Sequence, residues 1–325
     1  MKYQSEALKT FSAQINFALE HYTGHTHKSK DFDNVIICGL GGSGIGGTIA
    51  KNFFTQHANL PIEVVSDYDI PAYVSDKTLA IVSSYSGNTE ETLSMYHKVI
   101  EKKAKVLVIS SGGKITQLAN QGNFPIYAAV PGCQPRMALG YSLSYVLLAL
   151  GDFFGINFKT ELKEISELVA NDGFFFNQAS ELFFPIKKRL KNKTIIVSDG
   201  FLDAVAVRFA QQVQENAKSE AFVSVLPEAN HNMIETYHSE MPTNFIFLNS
   251  FENHRVNKRF EFLKNLLVNK GNVTIEVGGT GSSLKHIFGV IYTLDWLSLL
   301  MADGLSRQSD HVPIISDLKN YLAEA

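Results

Sequence analysis

The amino-acid sequence predicts an α/β protein with two tandem, doubly wound parallel sheets, each in a three-layer αβα arrangement. The chain has 325 residues, more than a single domain usually holds. Short apolar runs alternate with longer amphipathic segments from residue 34 to residue 130. The same alternation begins again at residue 194. We therefore predict an N-terminal domain over residues 1–153 and a C-terminal domain over residues 154–325.

Five apolar runs predict the strands of the first domain: "VIICG", "IEVVS", "LAIVSS", "KVLVIS" and "IYAAV". Continuous Val/Ile runs of this length are typical of strands buried on both faces of a parallel sheet. The segments between them are long enough for crossover helices. A helical stretch from Arg136 to about Phe154 follows, and we interpret "KTELKEISELVANDG" as a connector.

The second domain has the same kind of pattern. Strands are predicted at "TIIVSDG", "NFIFLNS" and "VTIEVGG". Helices are predicted from about Phe201 to Lys218, through "RVNKRFEFLKNLL", and from about Leu284 onward, where a long apolar stretch begins. This repetition predicts two related folds in one chain.

Composition limits the kind of partner. A formal net charge of -3 and a pI near 6.4 argue against nucleic acid or an anionic membrane, both of which favour a basic face. The two cysteines, Cys38 and Cys133, form no disulfide framework or metal-ligand spacing. The N-terminus lacks a secretory apolar region, and no apolar run approaches the ~20 residues that span a bilayer. We expect a soluble, cytoplasmic protein with a small ligand.

A glycine-rich stretch, "CGLGGSGIGG" over Cys38 to Gly47, links the first strand to a helix. We call it the glycine loop. Closely spaced glycines let backbone N–H groups, here those of Gly41 and Gly42, approach an anion at the positive end of a helix. Ser43 adds a hydroxyl donor. The pattern predicts an anion-binding loop.

The glycine loop also fits a dinucleotide-binding motif. Gly39, Gly41 and Gly44 have the required spacing, and Asp67 after the second strand could bind a ribose. An NAD(P)-dependent oxidoreductase is therefore an alternative, and a tight structural turn is another.

The stretch "SYSGNTEET", Ser84 to Thr92, follows the third strand, and we call it the hydroxyl loop. Ser84, Ser86 and Thr89 would face the glycine loop at a shared sheet edge. Helix capping by Thr89 or Asn88 would explain one hydroxyl but not the two serines. We therefore favour a phosphate ester as the ligand. No matching hydroxyl loop follows "TIIVSDG" or "NFIFLNS" in the second domain, which predicts one phosphate site per chain.

The two loops together resemble those of the sugar isomerase (SIS) domain. Three further segments resemble the bifunctional phosphoglucose/phosphomannose isomerase family: "GCQPRMALGYSL", "QENAKSEAF" and "LPEANHNMIE". The likeness covers nearly the whole chain. It implies SIS-type domains, no metal and no cofactor, and a homodimer. It also implies an aldose–ketose isomerase that interconverts glucose 6-phosphate and mannose 6-phosphate with fructose 6-phosphate by ring opening and a cis-enediol proton transfer.

Such chemistry needs one base that serves two adjacent carbons, ideally a carboxylate removed from water. Glu215 is the strongest candidate, because the predicted helix around it is apolar. Four polar residues fall at three- and four-residue steps along one side of that helix: Arg208, Gln211, Gln212 and Glu215. A solvated surface carboxylate is the alternative. The resemblance implies that Glu215 carries the proton.

The resemblance also implies three other catalytic residues. His231 would assist ring opening from the neighbouring subunit of a dimer. Arg136, after Pro135, would stabilise the enediolate. Lys319, in the closing helix, would join ring opening. For each of them the alternative is a surface or capping side chain.

The sequence departs from the family pattern at two points. Met233 stands where a glutamate is common, and Asp310-His311 stands where a threonine-proline pair is common. The second departure bears on acceptance of the mannose epimer. His21, His25 and His27 could bind zinc, but "HYTGHTHKSK" is more typical of a solvated polar loop. A phosphosugar-binding regulator without chemistry is the main alternative function.

Overall fold

The computed structural model describes residues 2–277 and 282–323. The chain forms two compact units, Lys9–Ala170 and a second one made of Met1–Leu8 with Asn171–Ala325. These units do not coincide with the predicted domains, because residues 154–170 belong to the first unit and the N-terminal residues belong to the second.

A five-stranded parallel sheet forms the centre of the first unit, in the order β2-β1-β3-β4-β5. Its strands are β1 (Asn34–Cys38), β2 (Ile62–Val65), β3 (Thr78–Ser83), β4 (Lys105–Ser110) and β5 (Ile126–Ala128). All residues of β1 and β3 are buried. The predicted strands and the parallel sheet are confirmed.

Seven α-helices begin within residues 2–170, the described part of this range. They are α1 (Lys2–Lys9), α2 (Phe11–His21), α3 (Gly41–Phe54), α4 (Glu90–Glu101), α5 (Gly113–Gln121), α6 (Leu139–Phe154) and α7 (Lys159–Val169). α3, α4 and α5 are the crossovers between strands, and α6 is buried along most of its length.

The predicted connector is a helix. The segment "KTELKEISELVANDG" forms α7 and the first residues of the next helix, because Leu162 and Ile165 recur at helical spacing and are fully buried. α7 packs against α2, where the Ser12 hydroxyl donates to the Ser166 carbonyl at 2.8 Å. This packing places residues 159–170 with the first unit.

The second unit contains a four-stranded parallel sheet in the order β7-β6-β8-β9. Its elements are α8 (Asp172–Phe183), β6 (Lys193–Asp199), α9 (Asp203–Gln212), β7 (Ala221–Leu226), β8 (Thr243–Leu248), α10 (His254–Asn269), β9 (Val273–Val277), α11 (Leu284–Gly304) and α12 (Pro313–Ala323). A π-helical turn, Val213–Ala217, follows α9 directly. The second predicted α/β fold is confirmed.

Strand β7 was not predicted. Its side chains are only partly buried, in the pattern of an edge strand, and its run "AFVSVL" includes a serine. The predicted strand at "VTIEVGG" is β9, and its final two glycines lie outside the described residues.

The sequence predicts no apolar run near the length that spans a bilayer, and helix α11 contradicts this expectation. By length and composition it could cross a membrane, since it has 21 residues and an 18-residue stretch of it has a mean hydropathy of 1.3. Within the second unit, however, 78% of this stretch is buried, as in the core helix of a globular fold. α1 joins the same unit, where Gln4 and Leu8 are buried and the Gln4 amide donates to the Ser309 carbonyl.

Candidate active site

The glycine loop and the hydroxyl loop meet at one edge of the first sheet. They follow the neighbouring strands β1 and β3, whose parallel register pairs Cys38 with Val82. The Ser43 hydroxyl oxygen accepts the backbone N–H of Tyr85 at 3.0 Å, so the two loops are in direct contact. The predicted juxtaposition is therefore observed.

The glycines of the first loop allow a close approach of backbone. A Cβ atom at Gly42 would lie 2.7 Å from the Pro135 carbonyl oxygen and 2.9 Å from the Arg136 nitrogen. Gly41 has a positive φ of 51°, which favours glycine. The turn that contains Arg136 can therefore lie directly against the start of α3.

Within the hydroxyl loop the three predicted residues differ in burial. Ser84 is 2% exposed and donates to the Thr89 hydroxyl oxygen at 3.1 Å. Ser86 is exposed, and its hydroxyl oxygen accepts the Asn88 N–H at 3.3 Å. Thr89 is half-buried. A loop held in shape by Ser84 thus leaves Ser86 open to solvent.

Capping does not account for these hydroxyls. Thr89 occupies the N-cap position of α4, but its side chain makes no capping hydrogen bond to the described residues. The Asn88 side-chain oxygen instead accepts the Lys114 N–H at 2.9 Å, at the start of α5. Asn88 therefore ties the hydroxyl loop to the next helix.

Tyr85, which was not identified from the sequence, connects three loops. Its hydroxyl donates to the Val130 carbonyl at 2.7 Å and accepts the Cys133 N–H at 3.1 Å. Its carbonyl accepts from the Ser111 backbone and hydroxyl. An aromatic residue among hydroxyls gives no sequence signal for such contacts. Beneath it lies a cavity of about 10 Å³, room for about one water molecule.

The electrostatics at this edge favour an anion. The helices α3 and α4 begin here, and helix N-termini carry partial positive charge and free N–H groups. Arg136, in the short helical turn Pro135–Met137, is only 4% exposed. Screening by water is weak at such a depth, so its charge acts strongly on a nearby anion.

In the second unit, Glu215 lies in the π-helical turn and is half-buried. The four polar residues predicted along one side do not share one environment. Arg208 and Gln212 are buried and bind the carboxylate of Asp295 on α11, at 2.5 and 2.9 Å. Gln211 and Glu215 are only partly buried. The side is divided because α11 covers half of it.

Asp295 was not identified from the sequence. Burial raises the pKa of its carboxyl, while the Arg208 guanidinium and the Gln212 amide act in the opposite direction. The two partners of this ion pair, Arg208 and Asp295, are 87 residues apart in the chain. No local pattern could have revealed it.

Two further predicted residues lie on other elements of the second unit. His231 is exposed, at the end of the short helical turn Glu228–His231. Lys319 is exposed on α12, a helix whose described side chains are all exposed. Both side chains are therefore accessible to solvent.

The histidine segment is not a solvated loop. His25 is half-buried, and its Nε2 lies 2.9 Å from the Ala149 carbonyl oxygen on α6. Among the residues that the structure describes, no three His, Cys, Asp or Glu side chains are grouped as metal ligands. Burial raises the pKa of the Cys38 thiol to about 12 and also raises that of Cys133, so neither is a thiolate at neutral pH.

Two family models match the chain. The SIS domain model matches residues 30–131, and the model of the bacterial phospho-glucose isomerase C-terminal SIS domain matches residues 175–322. Together with two parallel sheets and the paired loops, these matches define a protein with two SIS-type domains.

Curated relatives narrow the family. The bifunctional phosphoglucose/phosphomannose isomerase of Caldicellulosiruptor bescii is 35% identical over 91% of this chain and 91% of its own length. That of Aquifex aeolicus is 34% identical over 90% of this chain and 91% of its own length. The chain belongs to the bifunctional phosphoglucose/phosphomannose isomerase family.

A solved structure supports the fold. The glucosamine-6-phosphate deaminase of Thermotoga maritima superposes with a TM-score of 0.72 over 94% of this chain and 97% of that one. At 17% identity, this similarity shows the fold alone.

Proposed function

We propose that the protein is an aldose–ketose isomerase that interconverts glucose 6-phosphate and mannose 6-phosphate with fructose 6-phosphate. The observation that carries the proposal is the contact between the glycine and hydroxyl loops in a chain of this family. Two loops of backbone N–H and hydroxyl donors beside a buried guanidinium suit a phosphate monoester dianion.

The phosphate would be bound by the hydroxyls of Ser43, Ser84, Ser86 and Thr89 and by the N–H groups of Gly41 and Gly42. The Ser84 hydroxyl donates to Thr89, and it would turn from Thr89 to the ester when the phosphate binds. Ser86 is the exposed hydroxyl, free to turn toward an incoming ligand. Binding energy at the unreactive phosphate can hold the sugar carbons at the base.

Glu215 would remove the proton from C2 of the open-chain aldose and return it to C1, which gives the ketose through a cis-enediol. Arg136 would stabilise the negative oxygen of the enediolate. His231 and Lys319 would move a proton to and from the ring oxygen during ring opening. No redox cofactor is needed, because the oxidation at one carbon balances the reduction at its neighbour.

Replacement of the base tests this proposal. With fructose 6-phosphate in a coupled assay, we expect Glu215→Gln to lose roughly 10²- to 10⁴-fold in kcat, the usual contribution of a general base. Glu220→Gln, an exposed carboxylate in the same segment, is the matched control and should keep full activity. In D₂O the wild type should incorporate deuterium at C1 or C2 of the product. Full activity of Glu215→Gln, or binding without turnover by the wild type, would refute the isomerase proposal, and the second result would favour a phosphosugar-binding regulator.

We further propose that the enzyme acts as a cytoplasmic homodimer in which His231 serves the neighbouring subunit. Mixed dimers test this sharing. Inactive Glu215→Gln and His231→Ala chains, unfolded and refolded together, should recover about a quarter of the wild-type activity, because half of the dimers are mixed and each then has one complete site. If both residues act from the same chain, the mixture stays inactive.

A further inference from the structure

The π-helical turn Val213–Ala217 that carries Glu215 is anchored to α11. The Asn216 side-chain amide donates to the Ser298 hydroxyl at 2.9 Å, and the Ser298 hydroxyl donates to the Asp295 carbonyl at 2.7 Å. Asn216 and Ser298 are both fully buried. One turn of α11 therefore holds the residue next to the proposed base.

The same stretch of α11 also holds the preceding turn. The Asp295 carboxylate binds Arg208 and Gln212 on α9, just before the π-helical turn begins. After the turn, Lys218 has a positive φ of 55°, which is unfavourable for a lysine. π-helical turns are rare, and they are frequently found at functional sites.

We propose that Asn216 and Ser298 are positioning residues for the Glu215 carboxylate. This inference rests on the proposed function. The backbone of the turn sets the direction in which the half-buried Glu215 side chain leaves the helix. Without the Asn216–Ser298 hydrogen bond, the turn can relax toward ordinary α-helical geometry and rotate Glu215 away from the substrate.

The test compares Ser298→Ala with Ser144→Ala, a fully buried serine on α6 of the first unit. We expect Ser298→Ala to lose roughly 10- to 100-fold in kcat, as a displacement of about 1 Å can cause. KM for fructose 6-phosphate should stay within about twofold, since the phosphate contacts are untouched. The acid limb of the pH profile of kcat/KM should also shift, because the surroundings of the base change. Ser144→Ala should leave kcat, KM and the pH profile unchanged.

Two further variants cover a failure to fold. Asn216→Leu keeps the approximate size of the side chain but removes its hydrogen-bonding groups, and it should reproduce the kinetic loss. Ser298→Thr keeps the hydroxyl and should restore much of kcat. A wild-type kcat and pH profile in folded Ser298→Ala and Asn216→Leu would overturn this inference while leaving the proposed function intact. A fully active Glu215→Gln variant would overturn both this inference and the proposed function.

A different observation concerns Asp199 in the second sheet. The order β7-β6-β8-β9 repeats the order β2-β1-β3-β4 of the first sheet. Cys38 pairs with Val82 in the first sheet, and Ser198 pairs with Leu248 in the second. Asp199 directly follows Ser198, as Gly39 follows Cys38. Ser250 lies two residues after Leu248, as Ser84 lies two residues after Val82. Asp199 therefore occupies the position of Gly39, and Ser250 occupies that of Ser84.

The Asp199 carboxylate is 7% exposed and accepts four hydrogen bonds. One oxygen accepts the N–H groups of Phe201 and Leu202, at 3.1 and 2.9 Å, just before α9. The other accepts the Ser250 N–H and hydroxyl, at 2.7 and 2.6 Å. Backbone N–H groups at a helix start, together with a serine hydroxyl, are the donors that bind an oxyanion.

The structure assigns Asp199 as an internal anion that fills the anion-binding position of the second unit. The second unit keeps the donors but satisfies them with its own carboxylate, which excludes a phosphate ester from this position. In the first unit the equivalent Gly39 leaves that position open. A Cβ at Gly39 would lie 2.8 Å from the Ser83 carbonyl oxygen, so no side chain fits there.

Chemical rescue tests this assignment. Asp199→Ala should lower Tm by roughly 5 °C or more, since four donors lose their acceptor. Sodium formate should raise the Tm of Asp199→Ala by at least about 2 °C more than it raises that of the wild type, relative to sodium chloride of equal ionic strength. Asp303→Ala, which removes an exposed carboxylate, is the control and should show no specific rescue.

If Asp199→Ala does not fold on expression, the same comparison is made on its refolding yield with formate or chloride. Asp199→Asn, which points an amide toward the Ser250 donors, should also lower Tm. Wild-type stability of Asp199→Ala, or formate rescue no larger than that of the Asp303→Ala control, would overturn the assignment.

Discussion

At the scale of single residues, the candidate phosphate site depends on side chains that are absent or small. Gly42 leaves room for the Pro135 carbonyl and the Arg136 nitrogen, and Ser43 is small enough to accept the Tyr85 N–H. The glycines and hydroxyls at these positions predicted an anion-binding site. Their packing against residues 135–136 was not predictable, because almost a hundred residues separate the two segments.

Gly42→Ala should therefore disturb both stability and binding. The added Cβ would overlap the Pro135 carbonyl, and overpacking of this kind costs roughly 1–3 kcal/mol. We expect a lower Tm and a higher KM for fructose 6-phosphate. Gly200→Ala is the matched control, because nothing lies within 4 Å of its Cβ position. Equal behaviour of the two variants would contradict this account of the loop.

His25 should make the first unit sensitive to acid. Burial lowers the pKa of His25 and outweighs the opposing effects of the Ala149 carbonyl and Asp152. The unfolded chain, with a histidine pKa of about 6.5, then binds more protons than the folded chain. Stability is therefore full above about pH 6.5 and is lost as the pH falls through the folded-state pKa.

The measurement is urea unfolding of the wild type and His25→Gln between pH 7.5 and pH 5, followed by circular dichroism. Glutamine can keep a hydrogen bond to the Ala149 carbonyl but cannot take up a proton. We expect the loss of stability at low pH to be smaller in His25→Gln. His27, whose pKa burial also lowers, accounts for part of what remains. Identical slopes against pH in both proteins would rule out this contribution.

At the scale of elements, local pattern predicted most strands and helices, because apolar runs and helical spacing are properties of adjacent residues. Two of the elements that were missed have clear physical causes. β7 is an edge strand with only half of its side chains buried, so its pattern is weak. α7 is strongly charged, and only a narrow stripe of Leu162, Ile165, Ser166 and Val169 is buried.

Helix α10 offers a test of local stabilisation. The Asn253 side-chain oxygen accepts the N–H groups of Arg255 and Val256, at 2.9 and 3.2 Å. Asn253→Ala removes this cap and should lower the free energy of unfolding by about 1 kcal/mol. Asn253→Asp keeps the acceptor and should restore it. Fluorescence of Trp296, the single tryptophan, reports unfolding of the second unit. No difference between the alanine and aspartate variants would show that the cap adds nothing.

At the scale of the whole molecule, the chain does not divide at one point. The first eight residues belong to the same compact unit as residues 171–325. From the order of the sequence alone, an N-terminal helix is assigned to the domain that directly follows it. Here the buried face of α1 decides the assignment instead, since Gln4 is fully buried and Leu8 is 2% exposed.

This division predicts that a change near the N-terminus acts on the second unit. Leu8→Ala should lower the free energy of unfolding by roughly 2–5 kcal/mol, as buried leucine truncations do. The urea transition seen by Trp296 fluorescence should then move to a lower concentration. Glu6→Ala, at an exposed position of the same helix, should leave it unchanged. A Trp296 transition that Leu8→Ala does not move would contradict the assignment of α1.

The sequence by itself determined the two parallel sheets, the paired glycine and hydroxyl loops, and the likeness to the sugar isomerases. These features follow from residues close together in the chain, where apolar period and turn chemistry act locally. The tertiary structure alone decided that α11 holds the π-helical turn through Ser298 and the end of α9 through Asp295. It also decided that Asp199 accepts the two Ser250 donors, 51 residues further along the chain. Such contacts join residues dozens of positions apart, and only packing of the buried core brings them within hydrogen-bond distance.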